Sequence, residues 1–109
     1  MTSRLVTVTY IRATPQSVWE ALITPDIVRR YWNGSFPESS WELGAPWTLI
    51  LPDGRVADMG VVLAFEPPAR LSVSWRSELR DDLRAEGYAR CLWVIEPDEG
   101  DVVKLVVTH

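Results

Sequence analysis

Two Thr-Pro dipeptides, Thr14-Pro15 and Thr24-Pro25, constrain this chain more than any other feature. Proline at the first helical position forfeits no hydrogen bond, because the leading N–H groups of a helix have no intrahelical partner. A threonine just before it can supply the cap. Each dipeptide therefore predicts a helix start, and Pro25 biases Thr24 away from helical geometry. Ala13 to Trp32 then divides into two short helices. Asp26 adds a carboxylate in the first turn of the second helix, where the helix dipole favours it. Val18 and Leu22, Trp19 and Ile23, Ile27 and Tyr31, and Val28 and Trp32 are spaced to share helix faces. Such a pair needs a sheet to stand against.

The rest of the chain supplies one. Arg4 to Arg12 is rich in β-branched residues and predicts the first strand. Gly34 to Gly44 reads as a loop or short edge strand carrying Phe36 and Trp41. From Pro46, Trp47, Leu49 and Leu51 alternate with Thr48 and Ile50, and Asp53-Gly54 makes a hairpin turn. The next strand, about Arg55 to Glu66, is expected to place Ala57, Met59, Val61, Leu63 and Phe65 on one face. Pro67-Pro68 stops it. Leu71, Val73 and Trp75 alternate with Arg70, Ser72, Ser74 and Arg76, a half-buried strand pattern. Ser77 to Gly87 is mixed in charge and reads as a solvated connector. Tyr88 to Glu96 and Val102 to His109 predict two further strands around a turn at Pro97 to Asp101. The order is that of an α+β domain, with helices segregated from one twisted antiparallel sheet of about six strands.

A chain of 109 residues suits one domain. Its net charge of −4 argues against nucleic acid or an anionic membrane surface as partner. Uninterrupted apolar runs such as Val61 to Phe65 are far shorter than a membrane span, and the N-terminus does not read as a signal sequence. Cys91 stands alone, so no disulfide framework or cysteine metal site is expected, and a reducing cytoplasm fits best. Six tryptophans in so short a chain are the compositional anomaly; large aromatics build cores and also line apolar pockets. Two short helices cannot cover a six-stranded face, and the last strand ends at His109. The expectation is a C-terminally truncated chain, with closure of the face by a second copy as the alternative.

With the strands laid out, the motifs A-T-P-x-x-V-W-E-A-L-I-T-P at Ala13 to Pro25, Tyr31-Trp32, Leu43 to Trp47, Asp53-Gly54, Gly60-Val61-Val62, Pro67 to Leu71 with Ser74-Trp75, and Leu105 to His109 follow one order and spacing. Together they resemble the family of homologues of the activator of heat-shock protein 90 ATPase, within the START-like, birch-pollen-allergen-like (SRPBCC) superfamily. The family carries Gly-Gly where this chain has Gly44-Ala45, and Trp-Trp where it has Tyr31-Trp32. The resemblance implies a helix-grip fold and an apolar cavity for lipids, sterols, polyketides or similar molecules. It also implies a long C-terminal helix past the position of His109, in line with the expected truncation.

The leading functional expectation is binding of a small hydrophobic ligand on the concave sheet face. The residues expected to line it are Trp47, Leu49, Met59, Val61, Leu63, Trp75 and Trp93. Trp32, Phe36, Trp41, Tyr88 and His109 are expected at its rim. For any one of these, plain core packing is the simpler role. The alternative is a chaperone-associated interaction domain, as the family name suggests. An enzyme of cyclase or hydrolase type is the third reading, with little to carry it: one histidine, no paired carboxylates at a clear spacing, no nucleophile elbow and no phosphate loop. His109 shares the inward parity of Val103, Leu105 and Val107, but it is a terminal residue. Asp58 and Arg76 fall on the solvent-facing parity, and an inward Cys91 reads as a small hydrophobe. No catalytic residue, metal or cofactor is assigned.

Overall fold

The computed structural model describes residues 5–109. β1 (Val6–Arg12) leads into α1 (Pro15–Ile23) and α2 (Pro25–Tyr31), followed by β2 (Phe36–Ser39), β3 (Pro46–Ile50), β4 (Val56–Glu66) and β5 (Arg70–Ser77). A short α3 (Asp81–Ala85) precedes β6 (Ala89–Pro97) and β7 (Val102–Thr108). The strands form one curved, open antiparallel sheet in the order β1-β7-β6-β5-β4-β3-β2. This is the helix-grip α+β architecture. Among the described residues the sheet has seven strands, one more than the six or so expected, because the Phe36 segment pairs with β3 through Phe36↔Ile50 to Ser39↔Trp47. The charged connector is not uniformly irregular either, since it holds α3, a single turn or so of helix with no buried residue. Arg4, the expected start of the first strand, lies outside the described residues.

The two helix starts differ in chemistry. Thr14 and Ser17 form a reciprocal capping box: the Ser17 amide donates to Thr14 Oγ1 at 3.1 Å and the Thr14 amide to Ser17 Oγ at 3.1 Å. Thr24 makes no side-chain cap. Its hydroxyl donates instead to Glu20 Oε2 at 2.7 Å, closing the end of α1, while Pro25 alone begins α2. The Tyr31 hydroxyl reaches back to the Ala21 carbonyl and fixes the angle between the helices.

Both helices lie on the concave side of the sheet. Val18 and Trp19 of α1 pack with Leu71, Val73, Ile95 and Val103 in the buried core. Trp19 is 2% exposed and meets the Phe65 ring edge-on at 5.2 Å. None of the helices among the described residues is long and apolar enough to cross a membrane.

The main departure from the sequence pattern lies in β4. Its register slips at Leu49/Ile50 against β3 and between Val62 and Ala64 against β5. Between the slips, Asp58 pairs with Leu49 and Gly60 with Trp47, which places Asp58, Gly60 and Val62 on the concave face. Met59, Val61 and Leu63 turn to the convex face, and Val61 and Leu63 are exposed. A bulge moves every following side chain to the other face. Phe65 thereby returns to the concave side, opposite Leu71.

Candidate functional site

Five of the six tryptophans converge on one recess in the concave face: Trp32, Trp41, Trp47, Trp75 and Trp93. Leu49, Leu71 and Val73 form its aliphatic floor, with Leu22 of α1 and Pro37 of β2 at its sides. No lining residue carries a charge. The space enclosed is about 40 Å³, room for about three water molecules. Pockets that bury a drug-sized ligand run to about 300–1,000 Å³, several times the space here. Trp32, at the end of α2 and 41% exposed, is the most exposed of the lining residues.

Gly60 makes the recess possible. It sits on the concave face opposite Trp47, where an added Cβ would lie 1.8 Å from the Ser74 carbonyl oxygen. The strands approach here so closely that the β4–β5 ladder is interrupted, and side chains fill the gap. The Trp47 indole N–H donates to the Ser74 carbonyl at 2.8 Å, and the Val61 amide donates to Ser74 Oγ at 2.9 Å. With no side chain at Gly60, the Trp47 and Trp75 rings meet at 4.7 Å.

Trp75 joins the cluster. Its ring lies 6.4 Å from Trp32, 6.3 Å from Trp93 and 5.8 Å from the His109 imidazole. His109 thus stands at the recess edge beside Trp75, itself exposed. At the opposite end Trp41 adopts a left-handed φ of 56°, unusual for a bulky residue. Its amide donates to Ser39 Oγ at 3.0 Å, and its ring stacks on Phe65 at 6.5 Å.

Five of the residues expected to line or rim the site face elsewhere. Met59, Val61 and Leu63 are on the convex face for the reason given above. Tyr88 lies there too, 52% exposed, with the Arg76 guanidinium 4.7 Å over its ring. Phe36 is also turned from the recess: its neighbour Pro37 points in, whereas Phe36 pairs with Ile50 and lies 4.1 Å beneath the Arg29 guanidinium.

Asp58 is the residue that alternation misplaced. It is not a solvent-side carboxylate, because its register partners Leu49 and Ser77 share the face of Trp75. Burial pushes its carboxyl above the usual carboxylate range, the Trp75 indole N–H beside it partly offsets this, and the Glu78 charge adds to the rise. A mid-strand glycine is the sequence signal that could have exposed the break in alternation. Arg76 stays on the convex face, as its sequence parity indicates, held to Glu78 by contacts of 2.6 and 3.1 Å.

The raised Asp58 pKa carries a sign. A charge disfavoured in the folded state costs nothing below the unfolded value near 3.8 and costs most above the folded value. Asp58→Asn is therefore expected to raise the melting temperature at pH 7 and leave it nearly unchanged at pH 3, as read by differential scanning fluorimetry. An equal effect at both pH values would show that the charge is not the cause.

Cys91 is buried in the core, and desolvation lifts its thiol to about 11. At pH 8 about one thiol in a thousand is ionised, and the thiolate is the nucleophile. A chromogenic disulfide reagent is expected to titrate Cys91 only when urea unfolds the protein; rapid reaction in native buffer would contradict its burial.

The fold is that of a START-like protein. The chain belongs to the family described as Activator of Hsp90 ATPase homolog 1-like protein, whose model matches residues 12–109. An Hsp90 activator from Plasmodium falciparum shares the fold with a TM-score of 0.79 at 16% identity, covering 97% of this chain and 71% of that one. CalU16 from Micromonospora echinospora follows with a TM-score of 0.75 at 22% identity, covering 97% of this chain and 59% of its own. The Aha1 dimer from Colwellia psychrerythraea gives a TM-score of 0.74 at 15% identity, with 99% of this chain and 75% of that one covered. This chain thus spans less than two thirds of CalU16. At these identities the likeness concerns the fold alone. Comparison with curated proteins found no match.

Proposed function

We propose that the protein binds a small, flat, hydrophobic molecule in the recess between α2, β2 and the concave sheet face. The observation that carries this reading is the convergence of five tryptophans on one uncharged opening. Trp19 and Trp47 are both enclosed in the core, whereas Trp32, Trp41, Trp75 and Trp93 stay partly open around the recess that Trp47 also lines. Of the residues expected from sequence, the proposed contacts are Trp32, Trp41, Trp47, Leu49, Trp75 and Trp93, with His109 at the edge. Rings provide large apolar faces at low conformational cost, and offset or edge-on stacking on them favours aromatic or polycyclic ligands over flexible chains. Work in the cytoplasm is part of the same reading.

The test is a tryptophan fluorescence titration with a flavone, a sterol and a long-chain fatty acid. The flavone is expected to quench saturably at micromolar concentration and the fatty acid to act weakest. Absence of saturable change with all three would overturn the reading.

A second reading is a chaperone-associated interaction domain, favoured by the family's description and by the Plasmodium falciparum neighbour being an Hsp90 activator. A pull-down with the cognate chaperone tests it; no retention at low salt would remove it. Self-association belongs beside it, because the Colwellia psychrerythraea neighbour is a dimer. Light scattering that shows a monomer would count against that.

A further inference from the structure

We propose that the recess selects ligands that carry a protonated amine on a flat apolar body, with Asp58 as the counter-charge. This rests on the hydrophobic-ligand reading and narrows its ligand class.

The argument begins with placement. Asp58 stands on the concave face beside Gly60, with Leu49 across the β3 ladder and Ser77 across the β5 ladder. Leu49 and Trp75 both line the recess, and the Trp75 indole N–H lies beside the Asp58 carboxylate. Asp58 is not itself a lining residue, but it adjoins two of them, Leu49 and Trp75, and Trp32, Trp47 and Trp93 gather around Trp75.

Charge is the second observation. Among the described residues Asp58 makes no ion pair, and the charge that bears on it, Glu78, has the same sign. Arg76 and Arg84, the nearby cations in the same network, are both spent on Glu78, at 2.6 and 3.6 Å. No buried side-chain oxygen is sealed off without a partner among the described residues, so the Asp58 carboxylate remains reachable. The uncharged recess therefore has a half-buried, unneutralised anion just outside its lining, next to the Trp75 indole.

These features act together on a cation. Indole faces carry negative quadrupole potential and attract ammonium groups by about 0.5–2 kcal/mol per well-placed ring. A carboxylate in a partly desolvated setting accepts a charge-assisted hydrogen bond, roughly twice as strong as a neutral one. The same two elements repel a carboxylate ligand. The net charge of −4 steers in the same direction.

The test uses three ligands of one shape: naphthylmethylamine, naphthalenemethanol and naphthoic acid, each titrated by calorimetry at pH 7 and low salt. The amine is expected to bind about tenfold more tightly than the alcohol, with the acid weakest. Asp58→Asn is expected to bring the amine down to the level of the alcohol, whereas Glu96→Gln, which removes a charge of the same sign from an exposed site, keeps the preference. The higher melting temperature expected of Asp58→Asn at pH 7 shows that any loss of affinity is not unfolding. Equal binding of amine and acid, or an amine preference that survives in Asp58→Asn, would overturn the assignment of Asp58 and leave the recess as a neutral apolar site. Failure of all three to bind would overturn the ligand-binding reading itself.

Discussion

Replacing Gly60 with alanine is expected to destabilise the protein by about 3–5 kcal/mol, seen as a fall in the urea midpoint. The added methyl group would sit 1.8 Å from the Ser74 carbonyl oxygen, 2.5 Å from its carbon and 2.8 Å from its hydroxyl. Two of those atoms are backbone in a central strand, so no side chain can swing aside. Relief requires β4 and β5 to separate. That separation would break the Trp47 indole bond to the Ser74 carbonyl and the Val61 amide bond to the Ser74 hydroxyl. The Trp47–Ser74 bond is partly buried, so losing it costs a further about 1–3 kcal/mol, whereas the Val61–Ser74 bond is exposed and costs less. Gly44→Ala is the control: nothing lies within 4 Å of its Cβ, so only the positive φ of 82° is strained. It should cost about 1 kcal/mol. Equal midpoints for the two variants would contradict the close approach.

Trp75→Ala is expected to lower affinity for any recess ligand by more than about tenfold and stability by about 2–4 kcal/mol. Trp75 is in ring contact with Trp32, Trp47, Trp93 and His109, so its removal opens a gap shared by four aromatic neighbours. It also removes the indole N–H beside the Asp58 carboxylate. Because Trp75 is only partly buried, the stability loss falls toward the lower end for a large aromatic. Trp75→Phe keeps a ring without the N–H and should recover most of the stability. Wild-type affinity in Trp75→Ala, measured under conditions where the variant is folded, would move the binding site away from the recess.

Much of this was readable in the residues. The Thr-Pro pairs place both helices, Leu71, Val73 and Trp75 share one face of β5 although Ser72 between them is buried too, and the parity of Trp47, Leu49 and Trp93 is correct. The errors cluster in β4 because period-two reasoning assumes an unbroken ladder. Ala57 to Phe65 alternates well in sequence, and two register slips redistribute it between faces. The pattern preserved the apolar residues at both ends of the strand while inverting the middle, where Asp58 and Gly60 shape the recess. Phe36 and Tyr88 were misplaced for another reason. Each is an aromatic at an element boundary that ends up beneath an arginine, and cation–π pairing across elements leaves no local mark in sequence.

The central claim is that ligand binding takes place in the tryptophan recess. The most direct test is a two-dimensional ¹H–¹⁵N spectrum, in which the six tryptophans give six indole N–H signals, recorded while naphthalenemethanol is added. The indoles of Trp32, Trp41, Trp47, Trp75 and Trp93 are expected to shift together and saturably, because all five line the recess. Trp19, enclosed in the core at 2% exposure, should stay in place. No saturable shift, or movement of Trp19 as large as that of the other five, would contradict the account.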